Sequence, residues 1–193
     1  MDIQRPVSKQ PIPSHANKVF KGVIFDVWQW EQELYDGTTT TFEKLKRPDT
    51  VNVIPITPEG KIILSKQEQP GVVPFTGVLG GRVDPGETPT EAVKRELLEE
   101  SGYEAQEYIL WHALQPIEKI DWAIYTFIAK GVKRVQDPEL EGGEKIELLH
   151  LSFKEFIDVT TQKNFRDPEI EASIAEAQRD PEKFEELQKL FAV

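Results

Sequence analysis

The order of the predicted elements indicates an α+β fold or a mixed α/β sandwich built around one sheet. Segments with the period-two pattern of strands fill the first part of the chain, one strongly capped helix follows them, and further strands and helices come after it. A chain of 193 residues is long enough for one domain of ordinary size with its own core. We therefore expect one main domain with small additions at its two ends.

The first 48 residues predict an arm followed by a hairpin. Residues 1–19 are polar, contain three prolines and lack the apolar stretch of a secretory signal, so we expect a flexible arm. Phe20–Trp30 alternates loosely and reads as a strand, Asp36-Gly37 is a turn signal, and Thr38–Leu45 is a returning strand. Residues 20–48 are therefore expected to form an N-terminal β-hairpin.

The main body, residues 49–160, contains the clearest helix signal. Thr88 is a favourable N-cap, Glu91 completes a capping box, and Gly102 is a typical stop, so the helix should run over Pro89–Ser101. β-Branched and aromatic residues predict strands at Val51–Thr57, Ile62–Lys66, Tyr108–Leu114, Trp122–Lys130 and Ile146–Leu151.

The last part of the chain predicts helices. Phe153–Val159 is expected to be the final helix of the main body. Asp167-Pro168 and Asp180-Pro181 resemble N-caps followed by proline at the first helical position. These two pairs predict two C-terminal helices within residues 161–193.

The composition limits the classes of partner. A formal net charge of −11 disfavours binding to nucleic acid or to an anionic membrane, because the surface repels phosphate. A phosphate-bearing substrate would need local neutralisation, for which a divalent cation is the natural candidate. The absence of cysteine excludes disulfides and thiolate zinc sites and fits a cytoplasmic location.

Three glutamates of the predicted helix share one face. Glu99 and Glu100 follow Glu96 at i+3 and i+4, where like charges repel each other and cost helix stability. Carboxylate oxygens gathered in this way are the ligands that Mg²⁺ prefers. Glu87 precedes the helix and can fold back toward them, and the planar fork of Arg95 can hold a carboxylate in one rotamer.

The segment resembles the signature of the Nudix hydrolases. All of its defining positions are filled, namely by Gly81, Glu87, Arg95, Glu96, Leu97, Glu99, Glu100, Gly102 and Tyr103. A glutamate-rich solvated helix, the alternative, would explain the charges but not the glycines, the arginine and the caps at set positions.

The resemblance implies a fold, an activity and a ligand set. It implies an α/β/α sandwich with a mixed sheet, and hydrolysis of a nucleoside diphosphate linked to another group. It also implies Mg²⁺ or Mn²⁺ held by Glu96, Glu99, Glu100 and the carbonyl of Gly80, with Arg95 orienting the glutamates.

The general base is left open. In the ADP-ribose pyrophosphatase branch, a glutamate from a loop well after the signature often takes this role, and the loop 137–144 lies at the matching place. Glu144 is the first candidate and Glu141 the second, while Glu99 or Glu100 could act instead. The alternative for the loop is an exposed acidic surface.

Features outside the signature favour a nucleotide-sugar substrate. The N-terminal hairpin and Pro116 resemble the ADP-ribose pyrophosphatase branch, whose members dimerise through such a hairpin, although an arginine expected after Gln67 is absent. Trp28 and Trp30 share a strand face and could stack on a base, or instead form a core or dimer contact. Arg47 could hold a phosphate or a ribose.

The expected function is therefore Mg²⁺-dependent cleavage of ADP-ribose or another nucleotide sugar by a homodimer. Two alternatives stay open: a pyrophosphohydrolase of (d)NTPs or dinucleoside polyphosphates, and a non-catalytic nucleotide-binding regulatory module.

Overall fold

The computed structural model describes residues 3–140 and 142–193. It contains thirteen strands and four helices within these ranges. The strands are β1 (Asn17–Lys21), β2 (Asp26–Glu33), β3 (Thr39–Lys46), β4 (Thr50–Ile56), β5 (Ile62–Glu68), β6 (Phe75–Gly77), β7 (Leu79–Arg82), β8 (Tyr103–Glu104), β9 (Glu107–Leu114), β10 (Ile120–Asp121), β11 (Ile124–Lys130), β12 (Lys133–Arg134) and β13 (Lys145–Leu151). The helices are α1 (Pro89–Ser101), α2 (Phe153–Thr160), α3 (Pro168–Ala177) and α4 (Pro181–Phe191).

A mixed sheet forms the centre of the molecule. Its main path runs β13-β5-β4-β11-β9, with β6 paired to β5 and β7 paired to β4. β4 and β11 are parallel, whereas the other pairs are antiparallel. The prediction of an α/β fold with a mixed sheet is confirmed.

Both faces of this sheet are covered by helices. Along β4, Val51 and Val53 point into the cluster that contains the apolar side of α1. Ile54 and Ile56 belong to a second cluster with residues of α2, α3 and α4. Side chains on the two faces of β4 therefore pack into two different cores, one on each side of the sheet, which is the arrangement of an α/β/α sandwich.

The N-terminal hairpin belongs to a separate four-stranded sheet of order β1-β2-β3-β10. The single strand expected over Phe20–Trp30 is divided into β1 and β2. The amide of Gly22 donates to the carbonyl of Phe25 at 2.9 Å, which closes a turn between them. A Cβ at position 22 would lie 2.5 Å from that carbonyl oxygen, so glycine permits the turn.

The segment before β1, which we expected to be a flexible arm, is anchored at several points. Arg5 donates to both carboxylate oxygens of Asp49 at 2.7 and 2.9 Å and to Asp121 at 3.0 Å. Lys44 is buried under the segment, and its Nζ donates to Ser8 Oγ at 2.6 Å. These bonds hold the N-terminal segment to β3, to β10 and to the residue before β4.

Helix α1 has the predicted bounds and caps. Thr88 and Glu91 form both bonds of the capping box, and Gly102 ends the helix in the left-handed conformation at φ 73°. A Cβ on Gly102 would lie 2.1 Å from the carbonyl oxygen of Gln136, so the same glycine also allows the following loop to approach. No helix of the described ranges is long and apolar enough to cross a membrane.

The two C-terminal helices form where the Asp-Pro pairs predict them, but only one aspartate is a side-chain cap. Asp180 accepts from the amides of Glu182 and Lys183. Asp167 makes no capping bond to α3, and its Oδ2 instead accepts from the amide of Val78 at 2.9 Å. Asp167 therefore joins the start of α3 to the sheet, and burial raises the pKa of its carboxyl to about 7.

The raised pKa of Asp167 predicts a pH-dependent difference in stability. Between about pH 4 and about pH 7, Asp167 keeps its proton in the folded state and loses it in the unfolded state. The contribution of Asp167 to the free energy of unfolding therefore falls as the pH rises through this range. Compared with wild type, Asp167→Asn should therefore gain stability over this range and show no further gain above it. Urea unfolding at several pH values measures the difference.

Asp158→Asn, on the exposed side of α2, is the matched control. Its stability relative to wild type should change little with pH over the same range. A difference between Asp167→Asn and wild type that stays constant from pH 4 to pH 8 would contradict the assignment.

Candidate active site

Helix α1 presents its glutamates on one side because its other side is buried against the sheet. Ala92, Val93 and Leu97 have no exposed surface and pack with residues of β4 and β7. Glu96 and Glu99 lie on the remaining side, where they line a cleft. The apolar spacing of the helix thus sets the direction of its carboxylates.

The glutamate cleft has a volume of about 180 Å³. One wall is α1, and the others are the strand β7 and the loop before β13. Among the predicted site residues, the cleft brings together Gly80, Arg95, Glu96, Glu99, Glu100 and Glu144. It also contains Asp84 and Glu139, which sequence reasoning missed because each is an ordinary loop acid without a distinctive spacing.

The guanidinium of Arg95 connects three of the carboxylates. Its Nε and Nη2 donate to the two oxygens of Glu87, each at 3.0 Å. Its Nη1 donates to Glu96 at 2.7 Å and to Glu99 at 3.0 Å, and Nη2 also bonds the carbonyl of Arg82 at 2.9 Å. We call this set the Arg95 network; its hydrogen bonds lower the pKa of Glu87 and raise that of Arg95.

Gly81 makes room for the carboxylate of Glu96. A Cβ at position 81 would lie 2.4 Å from Glu96 Oε1 and 2.6 Å from Oε2, so any larger residue would displace this carboxylate. The Glu96 side chain is only 13% exposed. Burial raises its pKa, although Arg95 acts in the opposite direction.

Glu100 is the most buried carboxylate of the cleft. Its Oε2 accepts from the backbone amide of Gly80 at 2.7 Å. Burial raises its pKa to about 8, and the neighbouring charges of Glu96, Glu144 and Glu99 act in the same direction. A carboxylate that is poorly solvated and surrounded by like charges is strongly stabilised by any added positive charge.

The donor set of the cleft fits a hard divalent cation. Within residues 3–140 and 142–193, no three acidic or histidine side chains lie at the spacing of a preformed metal site. The carboxylates do not converge because Glu96 and Glu99 accept hydrogen bonds from Arg95, whereas Glu100 accepts one from the amide of Gly80. All of the available donors are oxygens, the class that Mg²⁺ and Mn²⁺ prefer.

The loop after β12 brings further carboxylates to the cleft. The amide of Glu139 donates to the carbonyl of Glu99 at 2.7 Å, which fixes this loop to the end of α1. Glu144 lines the cleft and accepts from Gln69 at 3.4 Å. Glu141, the second candidate for the general base, lies outside the described residues.

A second and larger cavity of about 670 Å³, which we call the side pocket, adjoins the cleft at Gly80 and Gly81. Arg47 lies at its wall with its guanidinium 4.5 Å from the centroid of the Trp122 ring. Its Nε is buried without an acceptor, and Arg47 forms no ion pair with any described residue. An unpaired guanidinium in so acidic a chain is a suitable partner for an anionic ligand.

Other residues of the side pocket were missed by sequence reasoning. Arg166 stacks on Phe75 with its guanidinium 4.2 Å from the ring centroid. Arg166, Asn52 and Glu169 all line the side pocket. These residues come from β4, β6 and the start of α3, which are far apart in the chain. No local motif joins them.

The two tryptophans proposed for base stacking lie outside both cavities. Trp30 is buried at 5% exposure, and its ring packs against Phe42 with the centroids 6.0 Å apart. Trp28 lines a groove beneath the N-terminal segment, where Lys18 lies 5.3 Å from its ring centroid. A role for them in substrate binding stays a prediction.

Comparisons with known proteins place the chain among related sequences. The family model described as NUDIX domain matches residues 46–173. A methanol dehydrogenase activator from Bacillus methanolicus is 29% identical over 156 residues, which cover 79% of this chain and 84% of the relative. An ADP-ribose pyrophosphatase from Bacillus subtilis (strain 168) is 27% identical over 153 residues, which cover 78% of this chain and 83% of the relative.

A solved structure has a similar fold. The crystal structure of an ADP compounds hydrolase matches with a TM-score of 0.70 at 20% sequence identity. The match covers 93% of this chain and 95% of the other.

The Arg95 network predicts a large effect of removing its cation. Arg95→Met should lower the free energy of unfolding by about 2 kcal/mol, because Glu87 and Glu96 would stay partly buried without their partner. Chemical denaturation at low ionic strength, without divalent cations, measures the loss.

Arg134→Met is the matched control, since Arg134 pairs with Asp137 at the surface, where both side chains are more than half exposed. The loss of free energy of unfolding in Arg134→Met should stay below about 1 kcal/mol. Equal losses in the two variants would show that the network adds no more than a surface ion pair.

Proposed function

The chain belongs to the Nudix family and is a Nudix hydrolase, and on this basis we propose that it cleaves the diphosphate of ADP-ribose or another nucleotide sugar. The products would be a nucleoside monophosphate and a sugar phosphate. The observation that carries the proposal is that two neighbouring cavities, the glutamate cleft and the side pocket, share Gly80 and Gly81 in their linings. The first suits a diphosphate with its cation, and the second has room for a group attached to it.

The metal requirement belongs to the proposal. Glu96, Glu99, Glu100 and the carbonyl of Gly80 would hold Mg²⁺ or Mn²⁺, which when bound neutralises charge on the diphosphate oxygens and favours ionisation of a water molecule. The buried carboxylate of Glu100 supports this ligand set, because burial and the charge of Glu96 raise its pKa and a bound cation would favour its ionised form.

The chain's own side chains would orient the substrate and move a proton. Water attacks one phosphorus atom, a new P–O bond forms, and the bond from that phosphorus to the bridging oxygen breaks. Glu144 is our first candidate to accept the proton of the water, with Glu99 or Glu100 as alternatives and Glu141 as a further candidate from the same loop. Arg95 orients Glu96 and Glu99, and Arg47 would bind a phosphate oxygen from the side pocket.

Similarity to other proteins supports the choice of substrate class. One relative is named an ADP-ribose pyrophosphatase, and the structural match is named an ADP compounds hydrolase. The filled set of signature glutamates favours turnover over a binding role alone.

For the homodimer proposed here, the edge strand β1 offers a surface, since Phe20 is 60% exposed. A cytoplasmic location stays a prediction.

A direct test combines one substrate screen with one variant. Wild type with Mg²⁺ should release AMP and ribose phosphate from ADP-ribose, as identified by chromatography with mass spectrometry. Replacing Glu99 and Glu100 together by glutamine should lower kcat/KM by at least about a hundredfold, because two of the proposed carboxylate ligands of the cation are lost. Glu104→Gln, at an exposed position of β8, should keep wild-type activity.

Two results would overturn the proposal. Release of pyrophosphate from dNTPs without AMP from any nucleotide sugar would favour a nucleotide-pool enzyme. Unchanged turnover in the double variant would exclude Glu99 and Glu100 from the machinery.

A further inference from the structure

One carboxylate that lines the side pocket has amides as its hydrogen-bond partners. Glu169 accepts from the side-chain Nδ2 of Asn52 at 2.9 Å and from its own backbone amide. It forms no ion pair with a described lysine, arginine or histidine. Glu169 is half-buried and lines the cavity, so it is not an ordinary surface acid.

The position of Glu169 is fixed by the connection between α3 and the sheet. The amide of Thr76 donates to the carbonyl of Asn164 at 2.9 Å, and the amide of Arg166 donates to the carbonyl of Thr76 at 3.0 Å. The carboxylate of Asp167 accepts from Val78. These bonds attach the residues just before α3 to β6 and to Val78, so the start of α3, which contains Glu169, is fixed relative to the strand that leads into Gly80.

The hydrogen-bond acceptors that Glu169 and Asn52 leave free define which ligand groups they can bind. An ionised carboxylate is an acceptor only and offers about four lone-pair positions, of which two amides use two. Asn52 adds a carbonyl oxygen beside it. The site therefore requires neutral donors, because Arg47 and Arg166 on the same cavity repel a cation and the carboxylate repels a phosphate.

We propose that Glu169 and Asn52 bind vicinal hydroxyls of a sugar in the substrate, which makes Glu169 a specificity-determining residue. This assignment rests on the proposed function, since it requires a nucleotide-sugar substrate. In every nucleotide sugar, a sugar is attached directly to a phosphate of the diphosphate. With the diphosphate at the cleft and beside Arg47, the next group in the side pocket is a sugar. Two adjacent hydroxyl donors match two adjacent acceptors.

The hydroxyls could belong to the ribose of the nucleoside or to the sugar beyond the diphosphate. Three substrates distinguish these sources: ADP-ribose, its 2′-deoxyadenosine counterpart, and the methyl ester of ADP, which keeps the anhydride but lacks the distal sugar. For each substrate, kcat/KM is measured from release of the nucleoside monophosphate by wild type and by Glu169→Gln.

Glu169→Gln should lower kcat/KM for ADP-ribose about tenfold or more, because a charged acceptor is replaced by a neutral amide. The loss relative to wild type should vanish on the substrate that lacks the bound hydroxyls. Its disappearance on the 2′-deoxy substrate would assign the nucleoside ribose, and its disappearance on the methyl ester would assign the distal sugar. Glu171→Gln, on the exposed side of the same helix, should match wild type on all three substrates.

Asn52→Ala is a second variant that probes the same pair from the sheet. It should show the same dependence on substrate, which a general folding defect would not produce. Equal losses on the three substrates, or no loss on any of them, would overturn the assignment while leaving the proposed function intact. If wild type hydrolyses none of the nucleotide sugars, the proposed function and this assignment both fail.

Discussion

The arrangement of the candidate site depends on one guanidinium shared by several carboxylates. Arg95 bonds Glu87, Glu96 and Glu99 at once, and without this cation the like charges on one helix face would repel each other. The planar fork of arginine suits this task, because its five donors point in set directions. Gly81 is part of the same constraint, since only a residue without Cβ leaves space for the carboxylate of Glu96.

The fold places two chemically different cavities next to each other. The glutamate cleft is rich in negative charge, whereas the side pocket carries Arg47 and Arg166 without ion-pair partners among the described residues. The glycine pair at positions 80 and 81 forms the boundary between them. Under the proposed function, a divalent cation at the glutamate cleft would offset its negative charge, and Arg47 and Arg166 would attract the same anionic ligand from the side pocket.

Local features of the site were predictable from the sequence because they depend on residues that are close in the chain. The capping box, the left-handed glycine and the i, i+3, i+4 spacing defined α1 and the orientation of its glutamates. The break at Gly22 was missed, because the loose alternation over this segment continues through the turn. The role of Asp167 was also missed, since a carboxylate before proline usually caps its own helix and here bonds Val78 instead.

The side pocket could not be predicted, because it depends on how distant elements pair. Asn52 and Glu169 are separated by 117 positions and meet only when the start of α3 is attached to β6 and to Val78. The location of Trp30 has a similar cause. Its strand belongs to the second sheet, where the ring of Trp30 is buried. The sequence pattern alone does not distinguish such a buried aromatic residue from one that stacks on a ligand.

Titration of wild type with Mn²⁺, followed by the loss of the electron paramagnetic resonance signal of the free ion, tests the divalent-cation site at the cleft directly. Wild type should bind Mn²⁺ saturably. The affinity should be strongly weakened when Glu96 and Glu100 are both replaced by glutamine, with the fold retained by circular dichroism. Absence of Mn²⁺ binding by wild type, or equal affinity in the double variant, would show that the glutamates of the cleft do not form a divalent-cation site.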